Sequence, residues 1–356
     1  MAEIELPAGI MPDYRQQLPK FLKDYAGRWI GHAEVRPGVL KHWADDGQTC
    51  YTVRILLPPN GLLSAATVRR LAGWIRKYAL TGRRTCRQSF ELVGVAPDKI
   101  EELIAEVKAS GLVVGGTGAT WHQIKCCTSF VHCQNAAIDA PSIAKVLSDM
   151  LLALEEQKFP APLKISVGGC PNQCGGGTDA DIGITGVFRD PPQVDEEKLL
   201  AANEDIGLLI SWCPTAAIRP KPLPEGMAVE INPARCVRCS SCAQVAPGGV
   251  SMGRERGAAL SVGGQGGNSR GGPQMGAVIF PFLPAEPPDY ALLKERVHSI
   301  IAYWLHEARP GEKIGSLAKR LGWGRFLAGV GVEDIESLID DYYPARTVRR
   351  NLHFKF

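Results

Sequence analysis

The sequence predicts an α+β fold built from α/β half-domains, with one small cysteine-rich module inserted between them. Three observations predict it. Residues 50–110 alternate strand, helix, strand, helix, the pattern of an α/β half-domain. Residues 141–157 form a long amphipathic stretch that leads, through a short apolar strand, into Gly168-Gly-Cys-Pro-Asn-Gln-Cys-Gly-Gly-Gly. Residues 206–262 then carry a cysteine spacing of their own before strand and helix patterns resume.

Length and composition limit what the chain can be. At 356 residues it can bury a sizeable core and hold two or three domains. A net charge of +3 is too small to imply a nucleic-acid or membrane-surface partner. No run reaches the roughly 18 apolar residues of a membrane span. The acidic start Met-Ala-Glu-Ile-Glu-Leu-Pro lacks the apolar core of a signal peptide. Eleven cysteines, an odd number spread along the chain, argue for metal ligation rather than disulfides. The expectation is a cytoplasmic protein with no nucleic-acid partner and no membrane span.

Taken in order, residues 1–45 are punctuated by Pro and Gly and read as an N-terminal extension, with Arg36-Pro-Gly-Val-Leu extended. Residues 50–57 are rich in strand formers and end at Pro58-Pro-Asn-Gly, a strand and turn. Ser64 is placed to cap a helix with Val68, Leu71, Ile75 and Tyr78 on its apolar stripe. A second strand is expected over 85–95. A second helix follows over 98–110, with Ile100, Leu103, Ile104 and Val107 on one face. Ile143, Val146, Leu147, Met150, Leu151 and Leu154 give the 141–157 helix its stripe, and strands follow at 163–167 and 181–187. Residues 263–276, containing Arg270, form a Gly/Ser/Asn-rich loop that is either a flexible connection or a cofactor-facing segment. Next come a strand at 277–283, a proline break at 284–288, and helices at 290–307 and 314–327. Residues 341–356 are basic and aromatic, the composition of a partner-binding arm.

Two cysteine pairs frame the centre of the chain: Cys127 and Cys133, then Cys170 and Cys174. Thiolates are soft ligands for iron–sulfur clusters, zinc and Cu(I), and two such loops can close a four-thiolate shell. Flanking glycines admit a bulky flat ligand where side chains would collide. Structural zinc prefers tighter pairs than C-x5-C, and buried free cysteines are the plain alternative. Cys126 competes with Cys127 for the same ligand position. Farther on, Cys236-x2-Cys239-x2-Cys242 has the ferredoxin spacing that wraps three thiolates round one cubane. Ala246-Pro247 stands where a fourth cysteine is usual, and the remote Cys213-Pro214 can complete the set; zinc is the competitor. The run Gly115-Gly-Thr-Gly-Ala-Thr-Trp-His is not a dinucleotide fingerprint, because no strand–glycine–helix unit with a later acidic residue surrounds it. His122 and His132 lie near the cysteines, where a histidine more often satisfies a local hydrogen bond than touches a cofactor.

Cys127-Thr-Ser-Phe-Val-His-Cys133, together with Gly169-Cys-Pro-Asn-Gln-Cys-Gly175, resembles the siroheme-adjacent cluster motif of sulfite and nitrite reductases. The resemblance implies that Cys127, Cys133, Cys170 and Cys174 hold a [4Fe–4S] cluster. It implies that Cys174 also bridges its sulfur to the siroheme iron, with Asn172 at the cofactor. The ferredoxin spacing adds a second [4Fe–4S] cluster on Cys213, Cys236, Cys239 and Cys242. Three arginines are read beside these motifs. Arg54 lies inside the first strand, while Arg83 and Arg87 flank the start of the second, where Arg87 would share a face with Thr85 and Ser89. Taken alone, each has the plain reading of a solvated edge charge. Arg83-x3-Arg87-Gln-x-Phe90 nevertheless resembles the reductase segment whose arginines bind siroheme carboxylates, partners that a guanidinium can meet with charge-assisted bidentate bonds. Arg54 resembles a substrate-side arginine of the same family, which implies a part in catalysis as well as in cofactor binding.

Over nearly the full chain, the order of these segments resembles the beta subunits of dissimilatory sulfite reductases. Pro37-Gly-Val-Leu-Lys-His, Cys213-Pro-Thr-Ala-Ala, Pro284-Ala-Glu-Pro-Pro, Gly322-Trp-Gly-Arg-Phe and the ending Phe-Lys-Phe share in the likeness. The fold implied is α+β: sulfite/nitrite reductase-like α/β half-domains with an inserted [4Fe–4S] ferredoxin-like domain. Its parts are an N-terminal extension over 1–45, a ferredoxin-like half-domain over 46–115, and a siroheme and cluster domain over 116–205 and 263–335. The inserted ferredoxin domain takes 206–262 and the partner-binding arm 336–356. The resemblance further implies a related alpha subunit in an α2β2 assembly that supplies part of the substrate pocket, and a small sulfur-carrier protein with a cysteine-bearing C-terminal tail. Two features depart from the pattern. Many beta subunits carry Cys-Cys where this chain has Gly169-Cys170 and lack a cysteine at the Cys127 position, and residues 254–276 are similar to alpha subunits. The reaction implied is reduction of sulfite at siroheme to sulfide or a carrier-bound sulfur species. Its rivals are the reverse oxidation of reduced sulfur, nitrite reduction, and an electron-transfer or structural subunit whose siroheme does not turn over.

Overall fold

The computed structural model describes residues 13–154 and 157–332; the partner-binding arm expected over 336–356 lies outside the described residues. The chain divides into two compact units after Gly118. In the first, helix α1 (Lys20–Asp24) precedes strands β1 (Trp29–Arg36), β2 (Val39–Ala44) and β3 (Thr49–Leu56). Helix α2 (Ala65–Tyr78), strands β4 (Thr81–Arg84) and β5 (Phe90–Val95), helix α3 (Ile100–Ala109) and strand β6 (Val113–Val114) complete it. The sheet is antiparallel in the order β1-β2-β3-β5-β4, with β6 paired to β3.

Alternation along β3 sends Val53 and Ile55 to one face and Thr52 and Arg54 to the other. On the first face, Val53, Ile55 and Leu92 close a core with Leu71 and Trp74 of α2 and Leu103 and Val107 of α3. The Ser64 hydroxyl caps α2, accepting the Thr67 N–H at 3.1 Å. Glu106 ties the two helices together by accepting from Trp74 Nε1 at 2.9 Å and from the Tyr78 hydroxyl at 2.7 Å. The opposite face of the sheet carries Arg54, Glu91 and Arg83 among apolar neighbours such as Leu40 and Val93.

Two sequence expectations are corrected in this unit. Residues 29–44 are not an extension but the first two strands of the sheet, turned back at Gly38. That glycine has φ +83°, and a Cβ on it would lie 2.5 Å from the Gly115 nitrogen. Of the single strand expected over 85–95, only β5 (Phe90–Val95) is strand; residues 85–89 form the turn of a hairpin with β4. The Thr85 N–H donates to the Ser89 carbonyl at 2.8 Å, and Gln88 takes the left-handed conformation at φ +69°. Arg83 therefore stays on a strand, while Arg87 lies in the turn and off the strand face it was expected to share with Thr85 and Ser89.

The second unit begins with β7 (Lys125–Cys126), α4 (Ala140–Leu152), β8 (Ile165–Gly168) and β9 (Ile182–Phe188). An inserted module follows: β10 (Gln193–Val194), α5 (Glu196–Ala201), α6 (Ile206–Ser211), β11 (Ile218–Leu223), β12 (Gly226–Ile231), α7 (Ser241–Val245) and β13 (Val250–Ser251). The chain returns with β14 (Arg256–Val262) and β15 (Ala277–Pro284), then helices α8 (Ala291–Glu307), α9 (Ile314–Leu321) and α10 (Trp323–Gly329). The main sheet runs β15-β14-β9-β8-β7, parallel from β7 to β9 and antiparallel beyond. Every residue of β9 is buried, as befits a central strand covered on both faces. A buried ion pair fixes the start of α9 to the entry of β9: Lys313 Nζ donates to Asp181 at 2.8 Å and to the Pro162 carbonyl at 2.6 Å.

The module has its own core, in which Leu199, Leu209, Ile218, Val229, Ala246 and Val250 are buried together. Because β10 pairs with β13 and Leu199 belongs to this core, the module starts near residue 193 rather than at 206. The helix expected over 314–327 is two helices, parted at Gly322 with φ +81°. Among the described residues no helix is long and apolar enough to cross a membrane.

Candidate metal centres and anion-binding face

Strands β7 and β8 lie parallel, pairing Cys126 with Val167, so the segments leaving their C-terminal ends emerge side by side. Cys127 leaves β7, and Cys170 and Cys174 follow β8. Cys133 returns to the same place through a one-turn 3-10 helix, Ser129–Val131, its N–H donating to the Ser129 carbonyl at 2.9 Å. Ser129, fully buried, holds that loop by accepting the Ala140 N–H at 3.2 Å. The Gly169 N–H donates to Cys127 Sγ at 3.1 Å, which brings the two cysteine loops into direct contact. Gly175 makes the approach possible: a Cβ there would lie 2.1 Å from the Val167 carbonyl oxygen and 2.9 Å from the Cys127 nitrogen.

The other three thiols of the set all act on Cys170. Burial pushes the Cys170 thiol up, and negative charge on Cys133, Cys127 and Cys174 pushes the same way, while the Asn172 N–H draws it down. Cys126 is fully buried and is not among the groups acting most strongly on Cys170. Yet among the described residues no three His, Cys, Asp or Glu side chains converge tightly enough to grip one ion. His132 shares a hydrogen bond with the Thr128 hydroxyl at 3.0 Å, the local partner expected of it.

In the inserted module, Cys213, Cys236, Cys239 and Cys242 line one cavity. Arg238 and Ser240 both adopt left-handed conformations, which wrap the three closely spaced cysteines round it. Burial, then the neighbouring Cys236 and Cys239, push Cys242 up to about 12. At Cys213 burial is outweighed by the N–H groups of Thr215, Ala217 and Ile218, and the thiol is drawn below its usual range. The Ala217 N–H lies 3.1 Å from Cys213 Sγ. Ala246, standing where a fourth cysteine was missing, packs into the module core instead. Gln134, next to Cys133, donates to the Gln244 amide oxygen at 3.2 Å, so α7, which bears Cys242, lies beside the loop bearing Cys133.

The face of the first unit's sheet that bears Arg54 lines an open cavity of about 570 Å³, within the roughly 300–1,000 Å³ of small-molecule sites. Three charged residues cross it in register: Arg54 on β3 pairs with Glu91 on β5, which pairs with Arg83 on β4. Arg54 donates to Glu91 from Nε at 2.9 Å and from Nη2 at 2.6 Å, and from Nη1 to the Gly116 carbonyl at 2.5 Å. Arg83 donates from Nε to the other Glu91 oxygen at 2.6 Å. Arg54 is thus a committed, largely buried guanidinium, whereas the Arg83 side chain is 65% exposed. His32 and His42 line the same cavity, and burial draws His42 below its usual range. Sequence reasoning missed Glu91 and both histidines. A lone carboxylate in the apolar run Phe-Glu-Leu-Val-Gly-Val was a signal that pointed to Glu91.

Comparison with known proteins agrees with this architecture. Residues 117–337 match the nitrite and sulphite reductase 4Fe-4S domain, and residues 44–110 match the nitrite/sulfite reductase ferredoxin-like half domain. The dissimilatory-type sulfite reductase beta subunit of Archaeoglobus fulgidus is 34% identical over 93% of this chain and 92% of its own length. An alpha subunit of the same enzyme type, from Allochromatium vinosum, is 27% identical over 80% of this chain and 70% of its own. A crystal structure of dissimilatory sulfite reductase I shares the fold with a TM-score of 0.77, at 22% identity, over 94% of this chain and 82% of that one. The chain belongs to the nitrite and sulphite reductase family, and within it to the dissimilatory-type beta subunits.

Proposed function

We propose that the chain is the beta subunit of a sulfite reductase of the dissimilatory type, an oxidoreductase that reduces sulfite to sulfide or to a carrier-bound sulfur species. The observation that carries the reading is the contact between two cysteine loops at the ends of adjacent parallel strands, where Cys127 Sγ accepts the Gly169 N–H beside Cys170. Cys127, Cys133, Cys170 and Cys174 would hold a [4Fe–4S] cluster, with Cys174 and Asn172 on its siroheme side, where Cys174 would couple the two cofactors electronically. Cys213, Cys236, Cys239 and Cys242 would hold a second cluster. Arg54, Arg83 and Arg87 would meet siroheme carboxylates, and an open cavity lined by two of these guanidinium groups suits an anionic macrocycle. Siroheme coupled to a cluster supplies the substrate-binding iron and the electrons for a multi-electron reduction.

The chain's own groups set the conditions for that chemistry. The Gly169 N–H donates to the Cys127 sulfur, and the Ala217 N–H is among the donors that favour the thiolate form of Cys213. Arginine cations lower the cost of holding an anion and of charge that develops on its oxygens. The proposal includes a related alpha subunit, an α2β2 assembly, a small sulfur-carrier protein and a cytoplasmic setting. Likeness to beta and alpha subunits alike supports descent from a common half and hence an alpha–beta pair. Free cysteines throughout suit a reducing compartment.

The visible and EPR spectra of the purified complex test the reading. A siroheme band with coupled cluster signals is expected, and Cys174→Ser should abolish the coupling. Zinc as the sole metal, or an unchanged EPR signature in the variant, overturns it.

A further inference from the structure

We propose that Glu91 is the positioning residue of the arginine face, holding Arg54 and Arg83 in the places and directions from which they meet an anionic ligand. The inference rests on the reading of those arginines as cofactor-side groups. Glu91 sits at the middle of three strands, and its side chain is 3% exposed. Both of its oxygens are engaged, one by Arg54 and the other by Arg83. A carboxylate this deeply buried is tolerable only with its cations in place, so the three side chains form one unit.

The geometry also decides which edge each arginine presents. Arg83 is gripped at Nε, at the root of its guanidinium, and its side chain is exposed, so its terminal nitrogens are accessible to a ligand. That is the edge from which a guanidinium makes paired bonds to a carboxylate or another oxyanion. Arg54 is held at all three nitrogens, by Glu91 and by the Gly116 carbonyl, so its plane cannot turn. Glu91 further removes one positive charge from the face, so that the pair attracts an anion without repelling itself apart.

Glutamine at position 91 keeps the size but offers one acceptor and one donor, so it can satisfy only one of the two arginines. In the purified alpha–beta complex, Glu91→Gln should retain siroheme about tenfold more weakly, as expected for loss of a charge-assisted bond. Siroheme per complex is read from its absorbance after gel filtration, and the sulfite KM should rise more than kcat falls. Glu91→Asp, which keeps the charge and shortens the reach, should fall between the two and serves should the glutamine variant not fold. Wild-type siroheme content and KM in both folded variants overturn the role of Glu91. Arg54→Met and Arg83→Met separate the two levels of the argument. If they too retain siroheme and KM as in the wild type, the arginine reading fails, and if they lose both while Glu91→Gln does not, only the positioning role fails.

Discussion

Half-buried on β2, His42 has His32 at a ring-centroid distance of 6.0 Å and Arg83 nearby, and only Glu91 favours its protonation. Burial first, and then these two neighbours, place its pKa below the ordinary value of about 6.5. The unfolded chain therefore takes up the proton first, and stability declines as pH falls below about 6.5 toward the folded-state value. The thermal midpoint of the complex should thus drop more between about pH 7.5 and 5.5 in the wild type than in His42→Gln. Equal drops would show that His42 carries no such linkage. At this scale the cysteines are legible in sequence because each ligand set is written as short local spacings. Glu91 is not, because its arginines lie 37 and 8 residues away and meet it only through strand register. Arg87 was misplaced for a related reason: the turn that carries it, Thr-Cys-Arg-Gln-Ser, contains neither glycine nor proline.

Elements bring the cysteine loops together, and they do so through backbone packing rather than side-chain attraction. At Gly175 the atoms nearest an added methyl group are main-chain atoms, the Val167 carbonyl and the Cys127 nitrogen, and no rotamer change can relieve that. Gly175→Ala should therefore part the two loops at a cost of about 1–3 kcal/mol, with loss of the iron bound between them and retention of the circular-dichroism signal of the fold. Gly267→Ala, where an added Cβ meets nothing within 4 Å, is the matched control and should keep its iron. Full iron content in Gly175→Ala would mean that the loops have room the packing denies. The sequence conveys the glycines but not the strand pairing that needs them, since β7 is only two residues long and carries no periodic signal. The β1–β2 hairpin is hidden for another reason: β1 is exposed along most of its length, so it lacks the apolar alternation that marks a strand.

Across the whole molecule, the inserted module is a body with a core of its own, and the four cysteines on it line a cavity separate from the Cys127–Cys174 set. Metal binding couples to the folding of the segment that supplies the ligands. When a module has an independent core, that coupling stays largely within it. The order of motifs makes this division readable from sequence, and only the boundary is misjudged, because β10 and α5 join the module through burial of Leu199 and pairing with β13. With the proposed cofactor set, Cys239→Ser should accordingly remove about four of about eight non-haem iron atoms per chain, while leaving in place the siroheme-coupled EPR signal that the other cluster would give. Electron delivery should slow with an external reductant, since the module would be the entry point, even though the substrate-binding iron is untouched. Loss of both cluster signals together would mean that the module and the main sheet fold as one cooperative body. The Gln134–Gln244 bond, the contact between their cysteine loops, would then be the first place to look for the coupling.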